Sequence, residues 1–124
     1  MVLDTNIVIY SAGPEGERLW SWLGHPEAEV SVVTRIEVLG FWRIDPEDHR
    51  ILAASLAAIQ LVGLAPAIAE RAIALRQKRR MGLADAVIAA TALEHGLPLV
   101  TRNTSDFAHI DGLRLIDPFG SLSV

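Results

Sequence analysis

Residues 83–107, LADAVIAATALEHGLPLVTRNTSDF, constrain the fold more than any other stretch of the chain. They indicate an Ala-rich helix, a tight turn at residues 95–98, a short apolar strand, and a polar loop that ends in an acid. Because the turn is short, the helix must run antiparallel to the strand that follows it. We therefore expect Asp85 and Asp106 to meet at one edge of a sheet. Two acids at the carboxyl edge of a parallel sheet point to metal or phosphate chemistry.

The length and composition are those of a globular protein. The chain has 124 residues, of which 51% are hydrophobic and 21% charged, so we expect one domain over residues 1–124. The absence of cysteine excludes disulfides and thiolate metal sites, and it is compatible with the cytoplasmic location that we expect. No segment is apolar for long enough to span a bilayer. The opening run contains Asp4 and lacks a basic flank, unlike a signal peptide.

The remaining elements alternate between strands and helices. The patterns predict strands at residues 1–3, 29–33, 60–64 and 113–116, besides the one within residues 83–107. They predict helices from the turn after Asp4 to about Gly13, and at residues 15–23, 34–44 and 66–80. A further helix starts at Pro46 with Asp45 as its cap. This order predicts an α/β fold with a mostly parallel central sheet of four to five strands flanked by helices.

Two further acids are expected at the same carboxyl edge. Asp4 ends the first strand, and Glu37 lies in the predicted first turn of the helix that leaves the second strand. Each acid also has a structural interpretation. Asp4 could cap a helix, and Asp85 could interact with a helix dipole. Glu37 could complete a capping box, and Asp106 could follow a cap.

The convergence of the four acids favours a metal site over four separate caps. Two carboxylates about 4 Å apart repel each other by ~4 kcal/mol at an effective dielectric constant of 20. Several in one pocket must raise one another's pKa or share a cation. Carboxylates suit Mg²⁺ or Mn²⁺. No His pair has zinc spacing, and we interpret the scattered histidines as surface or turn residues: His25, His49, His95 and His109.

Basic residues are the candidates for contact with an anionic substrate. The formal net charge of −4 means that any nucleic-acid binding must be local. A basic run precedes the loop before Asp85, and it could hold a nucleic-acid backbone or be a solvated helix end. Arg102, in the loop that carries Asp106, is a better candidate for phosphate contact. The run consists of Arg76, Lys78, Arg79 and Arg80.

Four segments together resemble a known family. LDTNIVIY, SVVTRIE, LADAVIAATA and LVTRNTSDF, in that order, are similar to the signature segments of PIN domains, and most of all to those of VapC-type toxins. The Asp-Pro-Phe near the end is also typical. The resemblance spans nearly the whole chain and is specific in combination. It implies a metal-dependent endoribonuclease that uses Mg²⁺ or Mn²⁺ and leaves a 5′-phosphate.

The resemblance also implies roles for individual residues. Asp4 and Asp85 would bind a metal directly, and Glu37 would bind it directly or through water. Asp106 would support a second metal or position the attacking water. Three further residues match polar positions of the family's pocket or stand beside them, and we assign them as supporting groups: Asn6, Thr101 and Asn103.

Partners follow from the same resemblance. It implies an RNA substrate, a homodimer, no membrane, and a small antitoxin whose tail often places an Arg in the acidic pocket. Aromatic residues in the first half could form a groove for that tail, although we expect at least two of the four to fill the core. Positions 20 and 22 on one helix cannot face the same way. The four are Trp20, Trp22, Phe41 and Trp42.

The sequence leaves three other functions open. A phosphatase of the haloacid-dehalogenase kind also has an Asp after its first strand. It needs a second Asp where this chain has Asn6, and a Lys near the phosphate, for which only Lys78 is available. The second is a solitary PIN nuclease that has no antitoxin. The third is a binding module that has the same fold but no catalytic activity.

Overall fold

A five-stranded parallel sheet forms the centre of the molecule. The computed structural model describes residues 1–120. The strand order is β3-β2-β1-β4-β5, and all four neighbouring pairs are parallel. This confirms the predicted α/β fold and its sheet. The strands are β1 (Val2–Leu3), β2 (Glu29–Ser31), β3 (Gln60–Val62), β4 (Leu99–Val100) and β5 (Leu115–Ile116).

Seven α-helices within residues 1–120 connect and cover the strands. The helix predicted at residues 15–23 is divided into a 3₁₀-helix, Gly16–Leu19, and a short α-helix. No helix within residues 1–120 combines the length and the apolar character needed to cross a bilayer. The helices are α1 (Thr5–Tyr10), α2 (Trp20–Leu23), α3 (Val32–Leu39), α4 (Pro46–Ala57), α5 (Pro66–Lys78), α6 (Leu83–His95) and α7 (Thr104–Phe107).

The two central strands are buried on both faces, as parallel strands usually are. Leu3 and Val100 contribute to the hydrophobic cluster under α1, α3 and α4, whereas Val2 and Leu99 contribute to the cluster under α6 and α7. All four side chains are fully buried. Because side chains alternate along a strand, each two-residue strand fixes one side chain in each cluster. The residue that follows β1, Asp4, is thereby held at the carboxyl edge of the sheet.

The turn between α6 and β4 has the predicted geometry. Gly96 ends α6 in the left-handed conformation, with φ 63°, which glycine adopts without strain. The N–H of Leu97 donates to the carbonyl of Ala92 at 2.9 Å and closes the turn. The chain therefore reverses within a few residues, and the start of α6 lies at the same sheet edge as the end of β4.

The start of α3 differs from the prediction. Ser31 is the cap, and its side chain accepts a hydrogen bond from the N–H of Val33 at 3.1 Å. The helix therefore begins at Val32, and Glu37 lies in its second turn instead of its first. The capping-box interpretation of Thr34 and Glu37 is wrong, because an earlier hydroxyl captures the free N–H groups.

Other boundaries are shorter than predicted. The first helix ends at Tyr10 instead of near Gly13, and α3 ends at Leu39 instead of Ile44. A Cβ at Gly40 would lie 2.5 Å from the carbonyl oxygen of Ile36, so only glycine fits this helix end. The second, third and last strands are each two residues shorter than predicted. The predicted cap at Asp45, with proline next to it, is confirmed.

Candidate metal centre

Asp4 is a buried carboxylate that is held from two sides. It follows β1 and caps α1, and its Oδ1 accepts a hydrogen bond from the N–H of Thr5 at 2.8 Å. Its Oδ2 accepts a second bond from Thr101 Oγ1 at 2.8 Å. The predicted capping role is therefore confirmed, but it involves only one of the two oxygens. The other oxygen is oriented by the residue that follows the neighbouring strand, β4.

Thr101 has a defined hydroxyl orientation. It is fully buried, and its oxygen accepts a hydrogen bond from the N–H of Asn103 at 3.0 Å. Its only proton is therefore directed to Asp4. Asn103 is the N-cap residue of α7, as predicted, but its side chain makes no capping hydrogen bond. Asn6 is half-buried in the first turn of α1, and its supporting role stays a prediction.

Glu37 is exposed but tied to α1 by a chain of hydroxyl groups. Thr5 Oγ1 donates to Glu37 Oε1 at 2.6 Å and lies 3.1 Å from Thr34 Oγ1. Because Thr5 has one hydroxyl proton and gives it to Glu37, Thr34 must donate to Thr5. The sequence interpretation assigned neither threonine to the site. Their positions in the sequence could have revealed them, because Thr5 follows Asp4 directly and Thr34 precedes Glu37 by one helical turn.

The charges of the four acids act on one another. Burial raises the pKa of Asp85, in the first turn of α6, and the charges of Asp4, Asp106 and Glu37 raise it further. The pKa of Asp4 is also raised, mainly by burial, with smaller contributions from Glu37 and Asp106. Hydrogen bonds from Thr101 and Thr5 oppose that shift. The structure therefore brings the four carboxyl groups within electrostatic range of one another at one sheet edge.

The donor set fits a hard divalent cation. All the candidate ligands are carboxylate oxygens, the ligands that Mg²⁺ and Mn²⁺ prefer. No Arg or Lys of residues 1–120 lowers the pKa of Asp4 or Asp85, so their charge is not offset by a basic side chain. In that part of the chain, no three or more His, Asp or Glu side chains stand arranged to hold an ion. Asp106 is exposed and therefore has the freedom to turn inward, whereas Glu37 is exposed but held by Thr5.

The basic run before α6 is divided between two faces. Arg76 Nε donates to the carbonyl of Met81 at 3.2 Å, and its side chain lines an apolar groove together with Leu83. Lys78 and Arg79 instead line a separate cavity. Arg80 is exposed in the loop. The run is therefore not one surface facing the acids, and a role for it in substrate binding stays a prediction.

Arg102 stands next to Thr101 and is engaged by neighbouring residues. Its Nη1 lies 3.3 Å from Glu15 Oε2, and its guanidinium carbon lies 4.2 Å from the ring centroid of Phe119. Arg18 approaches the same ring at 5.0 Å. Stacking and one ion pair thus hold Arg102 beside the loop that carries Asp106. An anion that binds Arg102 would have to compete with Glu15.

The aromatic and histidine side chains depart in part from expectation. Trp20, Phe41 and Trp42 are 62%, 54% and 80% exposed, so the expectation that at least two of the four aromatics fill the core is wrong. Only Trp22 packs against the core, which confirms that it diverges from Trp20. His109 lies in the turn after α7, as predicted, but both of its ring nitrogens are buried.

Comparison with known proteins agrees with this fold. The chain is 30% identical over 127 residues to Ribonuclease VapC1 of Rickettsia felis, with 94% of each sequence covered. It is similar to a toxin–antitoxin complex from Klebsiella pneumoniae, with a TM-score of 0.78, 34% identity, and coverage of 95% of this chain and 97% of that one. DNA-bound VapBC from Salmonella typhimurium has a TM-score of 0.80 at 23% identity, with 94% and 96% covered, and shows the fold alone.

A parallel α/β sheet with acids at its carboxyl edge defines a class of proteins with a carboxylate site. Within that class, the chain belongs to the PIN domain family, whose sequence pattern matches residues 1–113. The resemblance of the four sequence segments to this family is therefore confirmed. Membership in the family excludes a phosphatase of the haloacid-dehalogenase kind.

The raised pKa of Asp85 predicts a stability change in metal-free protein. Its pKa in the folded state lies above the unfolded value, so folding favours the protonated form. That stabilisation is complete below the unfolded pKa, about 4, and is lost as the pH rises through the folded pKa. At neutral pH with EDTA, we expect Asp85→Asn to raise Tm by a few degrees. The gain should shrink as the pH falls through the raised pKa of folded Asp85, and it should be absent below about 4.

Thermal unfolding followed by circular dichroism across this pH range measures the effect. Glu70→Gln, which neutralises an exposed carboxylate on α5, is the matched control and should leave Tm nearly unchanged. A lower Tm for Asp85→Asn at neutral pH would mean that its carboxylate stabilises the metal-free fold. That result would contradict a pKa of Asp85 raised by burial and by the charges of the neighbouring carboxylates.

Proposed function

We propose that this protein is a metal-dependent endoribonuclease, the toxin of a toxin–antitoxin pair, acting in the cytoplasm as one domain of residues 1–124. At one sheet edge, burial and the charges of neighbouring carboxylates raise the pKa of Asp4 and Asp85, and no basic side chain of residues 1–120 lowers either pKa. This is the observation that carries the proposal. A relative that covers 94% of the chain is named a ribonuclease, which supports the assignment of RNA as substrate.

The acids would hold Mg²⁺ or Mn²⁺ in a defined division of roles. Asp4 and Asp85, the two with raised pKa, would contact the cation directly, and Glu37 and Asp106 would complete the site. A divalent cation supplies a Lewis acid that activates water and offsets the charge of a phosphodiester. Thr101 keeps Oδ2 of Asp4 in one orientation, and Thr5 does the same for Oε1 of Glu37.

Two further side chains have places suited to the reacting phosphodiester. Asp106 is exposed at the outer side of the site, where its carboxylate can accept a proton from the attacking water. Arg102 follows Thr101 directly. Its guanidinium can bind a phosphate when its ion pair with Glu15 is broken. Hydrolysis by this route would leave a 5′-phosphate on the product.

Removal of single acids tests the site. We expect wild-type protein, freed of partners, to cleave structured RNA with Mg²⁺ or Mn²⁺ and to lose this activity in EDTA. Asp4→Asn and Asp85→Asn should each reduce the cleavage rate by more than about a hundredfold, because each removes a direct ligand. Gel electrophoresis of labelled RNA measures the rate, and the 5′ ends of the products report the chemistry.

Glu70→Gln is again the matched control, since it changes the same charge on an exposed part of α5. Equal cleavage by wild type and both Asn variants would refute the assignment of the acids. If wild type bound RNA but cleaved none under any metal condition, a non-catalytic binding module would replace the proposal.

Thr101 provides a test of positioning as distinct from ligation. Thr101→Val keeps the shape of the side chain but removes the hydrogen bond to Asp4. We expect cleavage to fall about 10- to 100-fold, which is usual when a group that orients a metal ligand is lost. Thr101→Ser should restore most of the activity, because it returns the hydroxyl.

Thr91→Val is the matched control for this change. Thr91 is equally buried, but its hydroxyl donates to the carbonyl of Val87 within α6 and forms no hydrogen bond with the four acids. Both valine variants should lose stability to a similar extent, measured as Tm. A similar loss of activity in both would show that Thr101 acts only through stability.

We propose that the antitoxin binds an apolar groove beside α1, α3 and α4. A cavity of about 480 Å³ there is lined by Ile9, Val38, Phe41 and Leu52, among others. Ile9 and Phe41 are exposed although they are large and apolar, which is typical of a surface that a partner covers. Toxin–antitoxin complexes among the structural relatives support a protein partner. A second copy of the chain, as a homodimer, is proposed from the family resemblance.

Phe41→Ser should weaken binding of the antitoxin by about tenfold or more, because buried aromatic anchors dominate such interfaces. The partner to be tested is the product of a short reading frame adjoining the gene, co-expressed and titrated by calorimetry. Ile73→Ser, on α5, is the matched control, since Ile73 is 50% exposed but lies outside the groove. Equal weakening by both substitutions would place the interface elsewhere. Absence of such a partner would favour the solitary nuclease.

A further inference from the structure

A cavity with a mixed polar and apolar lining lies between α5, α6 and the turn after α7. Its volume is about 310 Å³, at the lower end of the roughly 300–1,000 Å³ of ligand pockets. None of the four acids of the metal centre is among the residues that line it. A ligand bound here would therefore occupy a place that the proposed nuclease chemistry does not use.

Positive charge is concentrated at this cavity. Arg71, Lys78 and Arg79 line it, whereas the chain as a whole has a net charge of −4. Arg71 uses its Nε for an ion pair with Glu94 at 2.5 Å, which leaves its terminal nitrogens available for further hydrogen bonds. Three cations around one concavity favour an anion, and guanidinium groups suit phosphate in particular.

A half-buried histidine whose ring nitrogens are both closed to solvent provides a second observation. Both ring nitrogens of His109 are inaccessible to solvent, and neither has a hydrogen-bond partner within residues 1–120. Burying polar atoms without partners is unfavourable and rare in folded proteins. His109 is also part of the cavity lining. Its ring has one donor and one acceptor when neutral, which a polar heterocyclic edge can satisfy once the ring turns its nitrogens toward the cavity.

The remaining lining residues narrow the class of ligand. Leu75, Leu93 and Ile110 provide an apolar surface against which a flat ring can pack. Asp111 is the one carboxylate in the lining. It would repel a bare phosphate, but it can accept hydrogen bonds from ribose hydroxyls, as acidic residues do in nucleotide sites. Phosphate, sugar and base each have a suitable group in one cavity.

We propose that this cavity binds a nucleoside monophosphate unit. The phosphate lies among Arg71, Lys78 and Arg79, the ribose faces Asp111, and the base packs on the leucine side chains with its edge toward His109. The unit has two sources with the same chemistry, a free mononucleotide or the 5′-terminal nucleotide of an RNA. The inference does not depend on the nuclease activity, because binding can be measured without divalent metal.

Calorimetric titration of the full chain in EDTA tests the proposal with three probes: AMP, ribose 5-phosphate and inorganic phosphate. We expect AMP to bind about tenfold more tightly than ribose 5-phosphate, since only AMP has a base for His109 and the apolar surface. Inorganic phosphate should bind most weakly. Binding of AMP no tighter than that of inorganic phosphate, or no binding of AMP, would overturn the proposal.

Variants connect the binding to this cavity. Lys78→Gln and Arg79→Gln should each weaken AMP about tenfold, the effect of losing one charge-assisted hydrogen bond. His109→Leu should weaken AMP but leave ribose 5-phosphate unchanged, and circular dichroism checks its fold. Both basic residues are exposed, so their variants remain informative if His109→Leu fails to fold. Arg50→Gln, an exposed cation on α4, is the matched control. An equal loss in the control would mean non-specific attraction and would overturn the assignment.

Short oligoribonucleotides separate the two sources. If a 5′-phosphorylated tetranucleotide binds at least about tenfold more tightly than its 5′-hydroxyl form and more tightly than AMP, the ligand is an RNA end. If AMP binds more tightly than both, the ligand is a free nucleotide. Either result supports the cavity as a nucleotide site, whereas binding of both oligonucleotides without effect of Lys78→Gln would overturn it. Failure here leaves the cleavage assay untouched, because that assay reports on Asp4 and Asp85.

Discussion

The rest of the structure depends on a carboxylate that is buried at the end of the central strand. Asp4 is only 4% exposed, and burial raises its pKa, so the fold holds a charge where charge is unfavourable at neutral pH. Two hydrogen bonds, from Thr5 and Thr101, stabilise the carboxylate and offset part of the cost of its burial. The bond from Thr101 also joins the ends of β1 and β4. A polar contact needed for the site is therefore also a contact between the two most buried strands.

The part of the site nearest to a tight turn could be predicted from the sequence. A helix, a Gly-Leu-Pro turn and an apolar strand leave little freedom for the chain direction, so the edge at which Asp85 and Asp106 lie followed from length alone. The left-handed Gly96 and the buried alanines of α6 are the physical basis of that success. Asp4 was similarly accessible, since a residue directly after a buried strand must lie at its carboxyl end.

Features that depend on contacts between distant elements could not be predicted in the same way. Ser31 and Thr34 are both suitable helix caps, and the choice depends on where β2 ends, which its pairing with β1 and β3 decides. The hydroxyl chain from Thr34 through Thr5 to Glu37 joins residues about thirty positions apart. Neither the choice of cap nor this hydroxyl chain changes the local hydrophobic periodicity from which helices and strands are predicted. The surroundings of His109 likewise arise from three elements that meet only in the folded chain.

Charge is unevenly distributed over the molecule, and this bears on how it could meet an anionic polymer. The net charge is −4, but acidic side chains cluster at the sheet edge, and basic side chains of α5 and the loop after it line a separate cavity. RNA phosphates are repelled by the four carboxylates as long as their charge is not offset, whereas basic side chains attract RNA regardless of divalent metal. The attraction of RNA and its cleavage therefore depend on different residues, and only cleavage requires a divalent metal. Binding without metal would report on the basic surface, and only the metal-dependent increment would report on Asp4 and its neighbours.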